Sequence, residues 1–120
     1  MSYRTWHDYG YGICTADLSK ESIMKLYKHY NEEEDCELGE KIINDINSNN
    51  GINSFISCFN FDGDMYIMYS AGYPWHMKEN DKSMTEQKVK DIINSYMKDI
   101  IGIDDFDDSI IGYQEVENGG

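Results

Sequence analysis

The reactive side chains of this 120-residue chain are three cysteines, three histidines and 23 carboxylates. Cys14, Cys36 and Cys58 are widely spaced and odd in number, which reads as reduced thiols in a cytosolic compartment. No C-x-x-C pair is present to start a zinc site that His7, His29 or His76 would complete. Cys14 with His29 or His76 would make a thiol nucleophile and its base, but no oxyanion-hole motif accompanies them. A small buried cysteine is the plainer role. Carboxylate pairs for hydrolysis are abundant, and for that reason the nearness of any two says little. The run Asp104–Asp108 offers oxygen ligands to a divalent cation, yet it lacks the alternating ligands, central glycine and closing glutamate of a calcium loop. Gly10-x-Gly12 has no third glycine, no phosphate-binding lysine and no following βαβ unit, so it reads as glycines placed for twist or close packing. No metal, cofactor or catalytic residue is expected, and the chain reads as a binder rather than an enzyme.

Charge is the more informative signal. Against 23 acids stand 10 bases, for a net −13. Glu32, Glu33, Glu34, Asp35, Glu37 and Glu40 form one base-free block. Asp104, Asp105, Asp107, Asp108, Glu115 and Glu117 form another, and the remainder of the chain is almost neutral. Charge gathered in this way is harder to assign to solubility alone than a uniform spread. Direct nucleic-acid binding is disfavoured, because phosphates would be repelled and no Lys/Arg stripe offsets the repulsion. A Lys/Arg groove built for nucleic acid is the complementary partner: carboxylates on a helix and a loop can stand there in place of phosphates, while aromatics such as Tyr73 and Trp75 anchor the contact.

The elements that must carry these groups follow from hydrophobic period and turn chemistry. One domain spanning residues 1–120 is expected, without repeats and without an apolar run long enough to span a membrane. The N-terminus shows no export signal. Residues 9–15 read as a short first strand. A helix from about Lys20 to Tyr30 follows, capped by Asp17 or Ser19, with Ile23, Met24, Tyr27 and Tyr30 inward and Leu26 at the margin. The first acidic block opens a second helix with Leu38, Ile42, Ile43 and Ile46 on its buried stripe, and carboxylates there also favour the helix dipole.

Phe55–Phe61 and Asp64–Ser70 flank Asp62-Gly63, a two-residue hairpin signal that pairs Phe61 with Asp64 and Phe59 with Tyr66. Both hairpin faces are apolar, so either the hairpin is covered twice or one face docks a partner. Ser83 and Glu86 form a capping box for a third helix that stops at Gly102, and residues 109–116 make a last strand. The order β-α-α-β-β-α-β predicts an α+β domain: a four-stranded antiparallel or mixed sheet with helices mainly on one face.

The opening Trp6-His7-Asp8-Tyr9-Gly10-Tyr11-Gly12-Ile13-Cys14 resembles the start of short acidic proteins from phages and mobile elements of Gram-positive bacteria, some of which are anti-CRISPR proteins. The resemblance covers about a tenth of the chain and implies a protein made in a bacterial cytoplasm to disable a host factor. It transfers no site residue. Together with the acidic blocks it suggests a non-enzymatic DNA mimic that blocks a type II RNA-guided nuclease. The alternative is a protein–protein adaptor or immunity protein that docks through the hairpin's aromatic face, its acidity serving only solubility.

Overall fold

Among the described residues, four strands and three helices follow in the expected order. The computed structural model describes residues 5–31, 35–60, 62–70 and 85–119, with backbone alone at 5–8, 35–36, 70 and 118–119. Strand β1 (Thr5–Cys14) leads through a 3-10 turn (Thr15–Asp17) into α1 (Lys20–Tyr30) and α2 (Asp35–Asn50). Strands β2 (Phe55–Phe59) and β3 (Met65–Ser70) make the hairpin. Helix α3 (Glu86–Ser95) winds on into a π-helical turn (Tyr96–Ile100), and a 3-10 turn (Asp108–Ile110) precedes β4 (Gly112–Gly119). The sheet is antiparallel throughout, in the order β2-β3-β1-β4. The protein is therefore an α+β fold, and the alternative of a mixed sheet is settled in favour of the antiparallel one.

One face of the sheet meets the helices. Tyr11, Ile13, Phe55, Met65, Ile67 and Tyr69 point from it into a core with Leu26, Leu38, Ile42, Ile46, Val89 and Ile93. Full burial of an aliphatic side chain of this size stabilises by about 1.5–3 kcal/mol. Ser19 caps α1, its hydroxyl accepting from the Ser22 amide at 3.2 Å, while Asn31 closes the helix in the left-handed region. The inward face of α1 is rotated from expectation: Leu26 is buried and Met24 is 70% exposed. Leu26 meets Leu38 of α2 and Met65 of the sheet, whereas Met24, two residues away, faces outward. Helix α2 keeps Leu38, Ile42 and Ile46 inward, with Ile43 half-buried, and ends at Gly51 with φ 64°. Helix α3 is capped by Thr85, which accepts from the Lys88 amide at 3.2 Å. The capping-box residue Ser83 lies outside the described residues.

The hairpin register is one residue away from the two-residue-turn pairing. Phe55 pairs with Tyr69, Ser57 with Ile67 and Phe59 with Met65. Asn60 is the cause. Its backbone amide donates to the Asp64 carbonyl at 3.2 Å, and its side-chain oxygen accepts from the amides of Asp62 and Asp64 at 3.0 and 2.9 Å. With Gly63 at φ 82°, the result is a three-residue loop with a left-handed glycine. The slip puts Phe55, Met65, Ile67 and Tyr69 on a single face, and that face is buried.

Strands β2 and β4 are opposite edges of the sheet, yet their Cα atoms come within 8 Å. A flat sheet would hold them roughly 14 Å apart, three strand spacings away, so this one curls. The curl must be toward the face without helices, because a helix about 10 Å thick could not sit between edges that close. Gly10, Gly12 and Gly112 lie on that inner side of the curl, Gly12 in register with Met68 and Gly112, and Gly10 with Ser70. A Cβ at Gly12 would stand 2.2 Å from the Ile67 carbonyl oxygen and 2.5 Å from the Met68 Cα. Met68 and Val116 are fully buried on this side. The Gly10-x-Gly12 pattern is thus explained by close packing of β1 against β3.

Candidate functional site

Glu37 and Glu40 of the first acidic block and the Asp-rich loop of the second ride on different elements that meet at one end of the sheet, whereas Glu115 and Glu117 of the second block run toward the other end, paired with Tyr9 and His7 of β1. Gly39 of α2 packs against the hairpin near its turn: a Cβ there would meet the Met65 sulfur at 2.9 Å and the Ser57 hydroxyl at 3.0 Å. Leu38 lines a cleft with Gly63, Asp64 and Met65 on one side and Thr15 and Ala16 on the other. The next residues of that connection, Asp17, Leu18 and Ser19, line a neighbouring cleft of about 320 Å³ with Asp105, Phe106 and Asp107. The short segment from Thr15 to Ser22 is therefore flanked by the start of α2 and the hairpin turn on one side, and by the Asp-rich loop on the other.

At this end Glu37, Glu40, Asp104, Asp105 and Asp107 are exposed, and so are Asp17 and Asp62. Asp64 is half-buried and accepts from the Asn60 side-chain amide at 3.2 Å. Among the described residues Lys20, Lys25 and Lys41 are bases that intrude, and Lys25 donates to the Gly102 carbonyl at 3.1 Å, two residues before Asp104. Not every acid is free of structural work. Asp107 caps the 3-10 turn by accepting from the Ser109 amide at 3.0 Å, and that hydrogen bonding holds its carboxyl below the usual range. Asp108 is half-buried and accepts from the Asn94 side chain at 3.2 Å. Glu115 and Glu117 lie along β4, with Glu115 accepting from the Tyr9 hydroxyl at 3.4 Å. Asp104 and Asp105 face solvent.

Several candidates fall outside this description. Glu32, Glu33, Glu34, Tyr73 and Trp75 lie outside the described residues, as does the side chain of Asp35. Asp17, Asp62 and Asp64 belong to the acidic end although the sequence reading gave them only local roles. Each has an obvious backbone task in a cap or turn, and only the tertiary fold shows that those turns are neighbours.

The other reactive groups are used internally. Cys14 is buried, and its thiol is hydrogen-bonded with the Tyr66 hydroxyl. His29 is exposed on α1 and stacks edge-on against Tyr30 at 4.7 Å, while His76 lies outside the described residues. Of the tyrosines, Tyr11 and Tyr69 are register partners and both are buried. Tyr113 is 42% exposed and donates to Glu86 at 2.6 Å; partial burial and that carboxylate push its hydroxyl up to about 12. Among the described residues no group of three or more His, Cys, Asp or Glu is arranged to hold a metal, and no helix is long and apolar enough to cross a membrane.

Comparison with protein-family models, with curated proteins and with solved structures finds no match. What this end of the molecule does must be argued from its own chemistry. It offers exposed carboxylates around two clefts, and no His or Cys is among the described side chains that line them. Such a surface can steer and hold a cationic partner.

Proposed function

We propose that this protein is a non-catalytic binder of a basic, nucleic-acid-binding protein, and that its acidic end occupies a groove meant for phosphates. The observation that carries this reading is the convergence of Glu37, Glu40, Asp17, Asp62, Asp104 and Asp105 around the Thr15–Ser22 connection. Carboxylates drawn from four separate stretches of chain have no common local reason to meet. A groove lined with Lys and Arg is their electrostatic complement, and duplex DNA, with a phosphate charge about every 1.7 Å of axis, is what such a surface would imitate. The resemblance of the N-terminal residues to phage proteins makes a type II RNA-guided nuclease the leading partner, met in the bacterial cytoplasm.

The test is competition. The purified protein is added to a nuclease–guide complex, and binding of a target duplex is followed at rising salt. Displacement of the duplex that weakens steeply with salt is expected, as is its loss when Asp104, Asp105, Glu37 and Glu40 are changed to lysine. Displacement that is indifferent to salt and to these four changes would exclude groove mimicry.

A further inference from the structure

A different concavity lies at the other end of α2, roughly 20 Å along that helix from the acidic block. The last turns of α2 and the outer side of α3 enclose a cleft of about 270 Å³. Two i, i+4 stripes of α3 and its π turn form one wall. Asp91, Ser95 and Asp99 make the first stripe; Ile92, Tyr96 and Ile100 make the second. Ile46 faces them from α2, with Asn49 and Asn50 beside it.

The chemistry of this cleft is one-sided. Among the described residues that line it, both charges are negative and none is Lys, Arg or His. The carbonyl end of α2 adds the negative pole of a helix dipole, and no base in the last turn of α2 offsets it. The Asp91 carboxylate is held in place by the Gln87 side chain, which donates to it at 2.9 Å. Beneath the rim the surface is apolar, and Ile100 is left 37% exposed there. The volume is below the roughly 300–1,000 Å³ of ordinary small-molecule sites, so it suits one side chain rather than a nucleotide or coenzyme.

We propose that this cleft seats a single arginine side chain of a protein partner, its guanidinium drawn by the Asp91 and Asp99 carboxylates at the rim and its aliphatic stem on Ile46, Ile92 and Ile100. Arginine fits better than lysine because its planar fork donates in two directions at once, to carboxylates and to the amide oxygens of Asn49 and Asn50. The apolar floor covers the methylene stem, which a purely acidic surface would leave wet. The inference rests on the proposed function only in taking the partner to be basic.

Titration of the intact protein with N-acetyl-arginine amide, followed by amide NMR shifts, tests it. Saturable shifts confined to Asn49, Asn50, Ile92, Ser95, Asp99 and Ile100 are expected. Affinity should fall about tenfold in the exposed pair Asp91→Asn with Asp99→Asn, and binding should vanish in Ser95→Trp, which fills the cleft. The neutral isostere N-acetyl-citrulline amide should give no saturable shift, and N-acetyl-lysine amide a weaker one. Citrulline binding equal to arginine, or unchanged affinity in the double asparagine variant, overturns the proposal. Charge reversal of Asp104 and Asp105 should leave the arginine titration as it was, so failure of groove mimicry and failure of the cleft are read separately.

Discussion

Tyr96 and Tyr30 meet hydroxyl to hydroxyl at 2.5 Å, and Tyr30 donates its own proton to Asp45, also at 2.5 Å. Because Tyr30 has one proton to give and gives it to the carboxylate, Tyr96 is the donor between the two tyrosines. The chain of bonds ties the end of α1, the middle of α2 and the first residue of the π turn. Burial raises the pKa of both hydroxyls, reinforced at Tyr30 by Asp45 and at Tyr96 by Tyr30.

The first prediction follows from that chain. Tyr30→Phe removes the central link and leaves a half-buried carboxylate and a buried hydroxyl without their partner, so it should cost about 1–3 kcal/mol. Tyr96→Phe removes only the terminal donor and should cost about 1 kcal/mol. Urea unfolding at neutral pH checks the order of the two; equal losses would mean that the hydroxyls act independently.

Alkaline pH should act on the same groups. An unfolded tyrosine ionises near its ordinary value of 10, while Tyr30, Tyr96 and Tyr113 stay protonated above it in the fold. Above that value the folded state binds more protons than the unfolded one, so stability falls as pH rises. Their contribution is fully present below pH 10 and for Tyr113 is lost between 10 and about 12. Urea midpoints measured from neutral pH upward should decline in this window, and less so in Tyr30→Phe.

The curl of the sheet makes a prediction about two glycines paired with each other. Gly12 and Gly112 face each other across β1 and β4, but a Cβ at Gly12 would collide with backbone and one at Gly112 would meet nothing within 4 Å. Gly12→Ala should destabilise by about 3 kcal/mol or more through forced backbone movement, whereas Gly112→Ala should change little. Thermal unfolding of the two variants decides it, and similar melting temperatures would contradict the close approach of β1 and β3.

Much of this fold was legible in the chain because helical period and caps are local. Lys20–Tyr30 carries its own start at Ser19, and Gly51 and Gly102 mark helix ends by the positive φ they adopt. The hairpin was legible as a hairpin but not in register, since Asp62-Gly63 supports both a two- and a three-residue loop. Asn60, by accepting from the Asp62 and Asp64 amides, selects the longer one. The inward face of α1 could not be read because Met24 and Leu26 are equally apolar and only the position of α2 separates them. The Asp45–Tyr30–Tyr96 chain carried one usable signal, that a tyrosine hydroxyl on a buried stripe needs a partner. Which partner is a matter of three helices meeting. The acidic end is likewise tertiary: Asp17 and Asp62 sit 45 residues apart in sequence and join Asp105 only because the hairpin turn and the Asp loop flank one connection.

The last prediction separates acids held for binding from acids held for structure. Like charges gathered on one end repel, and selection keeps such strain only where function requires it. Asp104 and Asp105 face solvent, so changing both to Asn should raise the melting temperature by a few degrees at low salt while weakening binding to a basic partner. Asp107→Asn relieves a charge too, but it also weakens the cap on Ser109. The carboxyl of Asp107 is held below 3.8, so its contribution to stability is present above that value and lost as acid protonates it. Asp107→Asn should therefore show no gain at neutral pH and a flatter loss of stability on acidification. Stability and binding moving in opposite directions for Asp104 and Asp105, but not for Asp107, is the expected pattern. If neutralising Asp104 and Asp105 left both melting temperature and partner affinity unchanged across salt, the acidic end would be a solvated surface with no partner to meet.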